Sequence, residues 1–200
     1  MRSSSGQRVS SYQVASVLEK CPNFYFETQK LAIPTNNHQE VLVELDVTGF
    51  CGTDLSLAHS YLGPCQTILG HEGVGRISAV GSSCPSEAAR VGCLVGAGWI
   101  RDACGSCRVC DSDIKDKIRR LEQVLGGRNV PGTLVRYTVI PERYITPLPD
   151  GVPSEMLAPV MCAGVTGYEA LKVANIATGS WVGIAGAAGE VGSLALSDVK

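Results

Sequence analysis

The chain has 200 residues, with 17 Lys or Arg against 19 Asp or Glu and a formal net charge of −2. That balance, without a basic stripe, argues against a nucleic-acid partner. No apolar run reaches the roughly 18 residues of a membrane span, and no apolar leader of a secretory signal opens the chain, so a cytoplasmic protein is expected. With 44% hydrophobic residues, the length suffices for one full core and part of a second.

In chain order, a β-like segment begins near Tyr12. Val41, Val43, Leu45 and Val47 then alternate with Leu42, Glu44, Asp46 and Thr48, the period of a half-buried strand. That strand delivers the chain into Gly49-Phe50-Cys51. Further β-like runs occur at Gly73 to Val80, Val91 to Val95 and Leu134 to Ile140, separated by Gly, Pro and Ser clusters, so the first 150 residues predict a barrel-like all-β unit. After Pro147, Pro149 and Pro153 the character changes. Ser154 is a candidate helix cap, and Gly164 to Ala174 predicts a helix. Trp181 to Ala185 reads as a buried strand entering the turn Gly186-Ala187-Ala188-Gly189-Glu190-Val191-Gly192, with a helix through Leu194 and Leu196. Strand, glycine turn and helix in that order suit a dinucleotide, because helix N-terminal amides favour a pyrophosphate.

Two cysteine patterns carry metal chemistry. Cys51-Gly52-Thr53-Asp54 is followed by Gly70-His71-Glu72, which sets a thiolate and an imidazole twenty positions apart with carboxylates beside them. Catalytic zinc uses three such ligands and leaves a fourth position open, and Cys162 is the candidate third. Cys104, Cys107 and Cys110 are each separated by two residues, a structural-zinc spacing, but a closed site needs four ligands. Nine cysteines in a reducing compartment point to ligands and buried thiols over disulfides. Cys21, Cys65, Cys84 and Cys93 have no partner at ligand spacing and read as small buried hydrophobes.

Taken in order, the Cys51 motif, Gly70-His71-Glu72-Gly73-Val74-Gly75, the Cys104 cluster, Cys162-Ala163-Gly164-Val165-Thr166 and the Gly186 to Gly192 turn resemble the zinc-dependent medium-chain alcohol dehydrogenases of the fungal type. The resemblance implies a GroES-like catalytic zinc domain over residues 1–160. The first β-α unit of a Rossmann domain, incomplete at Lys200, would follow over 161–200. It implies Cys51, His71 and Cys162 as catalytic zinc ligands, Glu72 close to the metal, and Asp54 orienting a ligand. Thr53 would accept the alcohol proton, and Ser56 stands where many members carry the next histidine of the relay; the role is not transferred to His59. Zinc would lower the pKa of a bound alcohol, and hydride would pass to NAD(P) held by Gly186, Gly189 and Gly192. Small alcohols or aldehydes would be the substrates, and complete members are homo-oligomers.

The sequence departs from this pattern in three places. Ile118 stands where the structural zinc needs its fourth cysteine, and Asp111 to Leu125 has the apolar spacing of an amphipathic helix. Glu190 replaces a glycine at the phosphate turn. The acidic residue expected about 20 positions past the turn, which would bind the ribose, is also missing. An alternative reading is therefore a zinc-binding remnant without dehydrogenase turnover. A zinc-ribbon module resting on Cys104, Cys107 and Cys110 alone is a third.

Overall fold

The computed structural model describes residues 11–20, 23–104, 106–107 and 123–199. Cys21, Cys110, Ile118 and residues 111–122 of the expected helix lie outside the described residues. A hairpin of β1 (Tyr12–Lys20) and β2 (Phe24–Ala32) comes first. A five-stranded antiparallel sheet follows in the order β8-β3-β4-β5-β9, built from β3 (Glu40–Thr48), β4 (Gly73–Val80), β5 (Leu94–Ala97), β8 (Tyr137–Pro141) and β9 (Thr146–Pro147). A second hairpin pairs β6 (Ile100–Ala103) with β7 (Gln123–Leu125). Helix α1 (Gly52–Ala58) leaves the end of β3. Helices α2 (Ser154–Leu157), α3 (Ala163–Ala174) and α4 (Glu190–Asp198) follow the sheet.

The alternation read in β3 is realised. Val41, Val43 and Leu45 point into a core with Ile77, Val95, Ala97 and Ile140, while Asp46 is exposed. Each fully buried aliphatic side chain contributes about 1.5–3 kcal/mol, so this inner face holds the sheet together. A second core gathers Leu18, Leu57, Ala58 and Leu69 beneath α1, with Phe24, Phe26 and Trp99 at its edge. A third joins Val74 and Leu94 to Leu157, Ala158 and Met161, which docks the segment carrying Cys162 onto the sheet.

Several expected elements shift, each for a local reason. The Val91 to Val95 run pairs only from Leu94, because Gly92 takes a φ of 90° and its N–H turns back to the Ile77 carbonyl. In the Leu134 to Ile140 run, Leu134 and Arg136 bond to β1 and the sheet strand starts at Tyr137. The end of the expected Asp111 to Leu125 helix is instead a strand. Leu125 is buried opposite Ile100, and its N–H donates to Asn129 Oδ1 at the turn that follows. Ser154 does not cap α2: it is the first helical residue, Pro153 precedes it without a side-chain cap, and its hydroxyl donates to Asp46.

The largest departure is at Trp181 to Ala185. No strand forms there, and Trp181 is fully solvent-exposed at 102%. A parallel strand is stable only between neighbours and under covering helices, and none of the described strands runs beside this segment. The helices around it do form. Helix α3 ends on Asn175 in the left-handed conformation and packs on α4 through Gly167 and Ala195. Val165, Tyr168, Val173 and Leu196 remain exposed on that pair. No helix among the described residues is long and apolar enough to cross a membrane.

Candidate metal centre

Cys51 leaves β3 in an extended conformation and serves as N-cap of α1, its Sγ accepting from the Thr53 N–H at 3.3 Å. Asp54, one turn into the helix, reaches back: its Oδ2 accepts from the Cys51 N–H at 3.1 Å. Its Oδ1 accepts from the Gly70 N–H at 2.9 Å and lies 3.2 Å from His71 Nδ1. One fully buried carboxylate thus ties both halves of the sequence motif together. The imidazole, fixed through Nδ1, turns Nε2 toward Cys51 Sγ at 3.4 Å. Trp99 packs edge-to-face with the ring, with centroids 4.8 Å apart at 72°.

Cys162 arrives from the other side, at the junction between a 3₁₀ turn (Pro159–Met161) and α3. One ligand atom each from Cys51, His71, Glu72 and Cys162 lies within 4.8 Å of the others. Glu72 is fully buried and neither of its carboxylate oxygens has a hydrogen-bond partner. Gly49 makes room for it, since a Cβ there would collide with Glu72 Oε2. A buried carboxylate left without donors, beside two thiols and an oriented imidazole, fits a divalent soft-to-borderline metal such as zinc.

The electrostatics describe four groups that share protons. The Cys51 thiol is pulled down by its hydrogen bond with Cys162, against the effect of burial, while Cys162 is driven up by the same bond and by burial. Burial alone would lower His71, but hydrogen bonds to Asp54 and Cys51 outweigh it and raise the imidazole to about 9. Burial, then the charge of Glu190, raises Glu72 to about 7.

Thr53 and Ser56, three positions apart on α1, both line a cleft of about 870 Å³ that also takes in Cys51, Cys162 and the glycine turn. His59 caps the far end of α1, stacked on Tyr61 and edge-on to Phe24, outside that cleft. Gly186, Gly189 and Gly192 line the opposite wall, with Gly189 capping α4. A Cβ at Gly192 would collide with the Gly186 carbonyl, so the helix packs directly on its turn. Glu190, the first residue of α4, faces the same cleft, where burial and then the Cys51 charge push its carboxyl up.

Cys104 and Cys107 fall in no group of three or more metal-ligating side chains among the described residues. Cys84 and Cys93 pack against the first core and Cys65 against the second, where its thiol donates to the Leu57 carbonyl. Trp99 was not singled out in the sequence, although a lone tryptophan between Gly98 and the strand beginning at Ile100 is the signal that could have marked it.

The described residues thus form a β domain in which Cys51, His71, Glu72 and Cys162 converge on a cleft that the glycine turn also lines. The chain belongs to the alcohol dehydrogenase GroES-like domain family, which it matches over residues 37–150. It is similar to alcohol dehydrogenase 2 of Emericella nidulans, 37% identical over 173 residues, covering 84% of this chain and 47% of that protein. Among solved structures it superposes on CAD from Helicobacter pylori complexed with NADP(H), with a TM-score of 0.82 at 24% identity, covering 94% of this chain and 56% of that one. It also superposes on the cobalt- and zinc-bound thermostable alcohol dehydrogenase of Pyrobaculum aerophilum, with a TM-score of 0.76 at 19% identity, covering 94% and 56%. The chain spans about half the length of the relatives it matches.

Proposed function

We propose that this chain supplies the catalytic zinc domain of a zinc-dependent alcohol dehydrogenase, an oxidoreductase moving hydride between a primary or secondary alcohol and NAD(P). The observation that carries the reading is the convergence of Cys51, His71, Glu72 and Cys162 within 4.8 Å. Cys51, His71 and Cys162 would hold zinc, with Glu72 beside it. When bound, zinc acts as a Lewis acid that acidifies a coordinated alcohol. Asp54 holds the His71 tautomer and orientation. Thr53 takes the alcohol proton on its hydroxyl, and Ser56, one turn further along the cleft wall, passes it toward solvent. Gly186, Gly189 and Gly192 let the diphosphate approach the N-terminus of α4.

The same reading takes residues 1–160 as a GroES-like unit whose sheets close into a barrel, and 161–200 as the start of a Rossmann unit. Cys104, Cys107 and Cys110 are three ligands of a structural zinc lobe in it whose fourth ligand is missing, so one zinc per chain is expected. A cytoplasmic protein acting on small alcohols or aldehydes, without nucleic-acid or membrane partners, completes it; the complete members of the family are homo-oligomers. A second reading, a zinc-binding remnant without turnover, is favoured by the exposure of Trp181 and by Glu190 at the phosphate turn. The test is zinc analysis of the full chain followed by NADH titration monitored by nicotinamide fluorescence. One zinc lost in Cys51→Ala together with saturable NADH binding supports the dehydrogenase. Zinc without NADH binding supports the remnant, and zinc retained in Cys51→Ala and His71→Ala overturns both.

A further inference from the structure

A second cavity, of about 590 Å³, shares no lining residue with the metal cleft. Its walls come from β1, β2, β6, β8 and the loop before β8, and they are largely apolar: Leu31, Ile68, Val130, Val135 and Val139 among them. One cation lines it. Arg101, in β6, is only 2% exposed, and none of its three guanidinium nitrogens has a hydrogen-bond partner. A buried charge without a counter-charge is costly, and a guanidinium offers five donors in a fork suited to a carboxylate.

The neighbouring acids do not serve it. Asp102 is engaged by Arg143, and a Glu40 side-chain oxygen accepts from the Asn37 N–H. Burial lowers the Arg101 pKa to about 10, no carboxylate among the described residues acts on it, and it stays charged at neutral pH. Gln13, also on the wall, is spent as well. Gln13 donates to the Ala32 carbonyl and accepts from the Tyr137 N–H. A phosphate, strongly hydrated and needing many donors, would therefore be poorly solvated here, whereas a molecule with one carboxylate and a hydrocarbon body matches both the single fork and the apolar walls.

We propose that this cavity binds a small organic carboxylate, its oxygens on the Arg101 guanidinium and its hydrocarbon part against Leu31, Ile68, Val130, Val135 and Val139. A torsional adjustment of the long Arg101 side chain turns its donors to the ligand. The site is independent of the metal centre and of the activity proposed for it.

The experiment is thermal unfolding of the full chain with benzoate, hexanoate, inorganic phosphate or chloride at matched ionic strength. At a hundredfold excess over Kd, benzoate or hexanoate is expected to raise Tm by about 5 °C, and Arg101→Met to abolish the shift. Without ligand, Arg101→Met is expected to unfold no lower than the wild type, since it removes an unpaired buried charge. On the wild-type chain the Arg101 Nε–H resonance should move with benzoate and saturate. That measurement decides the matter even where the variant does not fold. An equal shift in Arg101→Met, a phosphate effect as large as that of benzoate, or an unmoved Arg101 resonance would overturn the proposal.

Discussion

The metal constellation and the glycine turn sit on opposite walls of one cleft, yet they are stabilised in different ways. Around Cys51 and His71, every constraint is local or comes from the adjoining strands. The N-cap, the two backbone donors to Asp54 and the contact with Trp99 fix the Cys51 and His71 side chains within the folded domain. Around Gly186, the helix and turn are formed but the segment leading into them, Trp181 to Ala185, pairs with no strand among the described residues. A site closed by its own hydrogen bonds is self-sufficient in the folded domain, whereas a nucleotide turn at the end of a parallel strand depends on the strands beside it.

That contrast can be broken most forcefully at the ligands. Cys51→Ala or His71→Ala should reduce bound zinc from about one per chain to near zero, read by inductively coupled plasma mass spectrometry. Asp54→Ala should come next. It leaves the Cys51 and Gly70 N–H groups and the His71 ring without their acceptor, so unfolding in urea should show a loss of about 3 kcal/mol, and zinc affinity should fall by about 10–100-fold.

The sign of the pH dependence sharpens the comparison. His71 is raised from 6.5 to about 9 and Glu72 from 4.5 to about 7 in the metal-free chain. Both groups hold their protons more tightly folded than unfolded. Their contribution is therefore complete below the unfolded pKa values and disappears as pH rises through the folded ones. Chelated protein should lose the Glu72 contribution from about pH 4.5 to 7 and the His71 contribution from about pH 6.5 to 9, while Cys51, whose thiol is held below its unfolded value, contributes with the opposite sign and opposes both. The imidazole part is on the order of 3 kcal/mol at most. Urea titrations of the wild type and His71→Gln in the presence of a chelator isolate the imidazole part, and a wild-type excess that grows from about pH 6.5 to 9 would contradict the assigned partners.

Gly49→Ala should cost about 1–3 kcal/mol through the collision with Glu72. The smallest effect is expected at the other wall: Trp181→Ala should change stability by no more than about 0.5 kcal/mol, as for an exposed side chain away from any packed feature. A loss of 2 kcal/mol or more there would mean that the tryptophan is packed and the contrast between the two walls is wrong.

What was legible in the sequence follows the same division. The period-two pattern of Val41 to Val47 could be read because one face of β3 is core and the other is not. The Cys51 and His71 motifs could be read because chemistry demands those residue types at that spacing. Trp99 and Gly49 could not be read as part of the site, because their roles arise only when β3, β6 and the Gly70 loop are brought together. Trp181 to Ala185 departs from its expected strand for the complementary reason. Its apolar run has the composition of a buried strand, and burial depends on neighbours that composition does not reveal. Arg101 was invisible as well, since a single arginine in a strand gives no hint that its guanidinium will be sealed inside.

The most direct test of the account is zinc K-edge X-ray absorption on the full chain carrying one zinc. Ligation by Cys51, Cys162 and His71 predicts two sulfur scatterers at about 2.3 Å and one or two nitrogen or oxygen scatterers at about 2.0–2.1 Å, with one sulfur lost in Cys162→Ser. A shell of three or four sulfurs unchanged by Cys51→Ala would move the metal to Cys104, Cys107 and Cys110 and contradict the assignment.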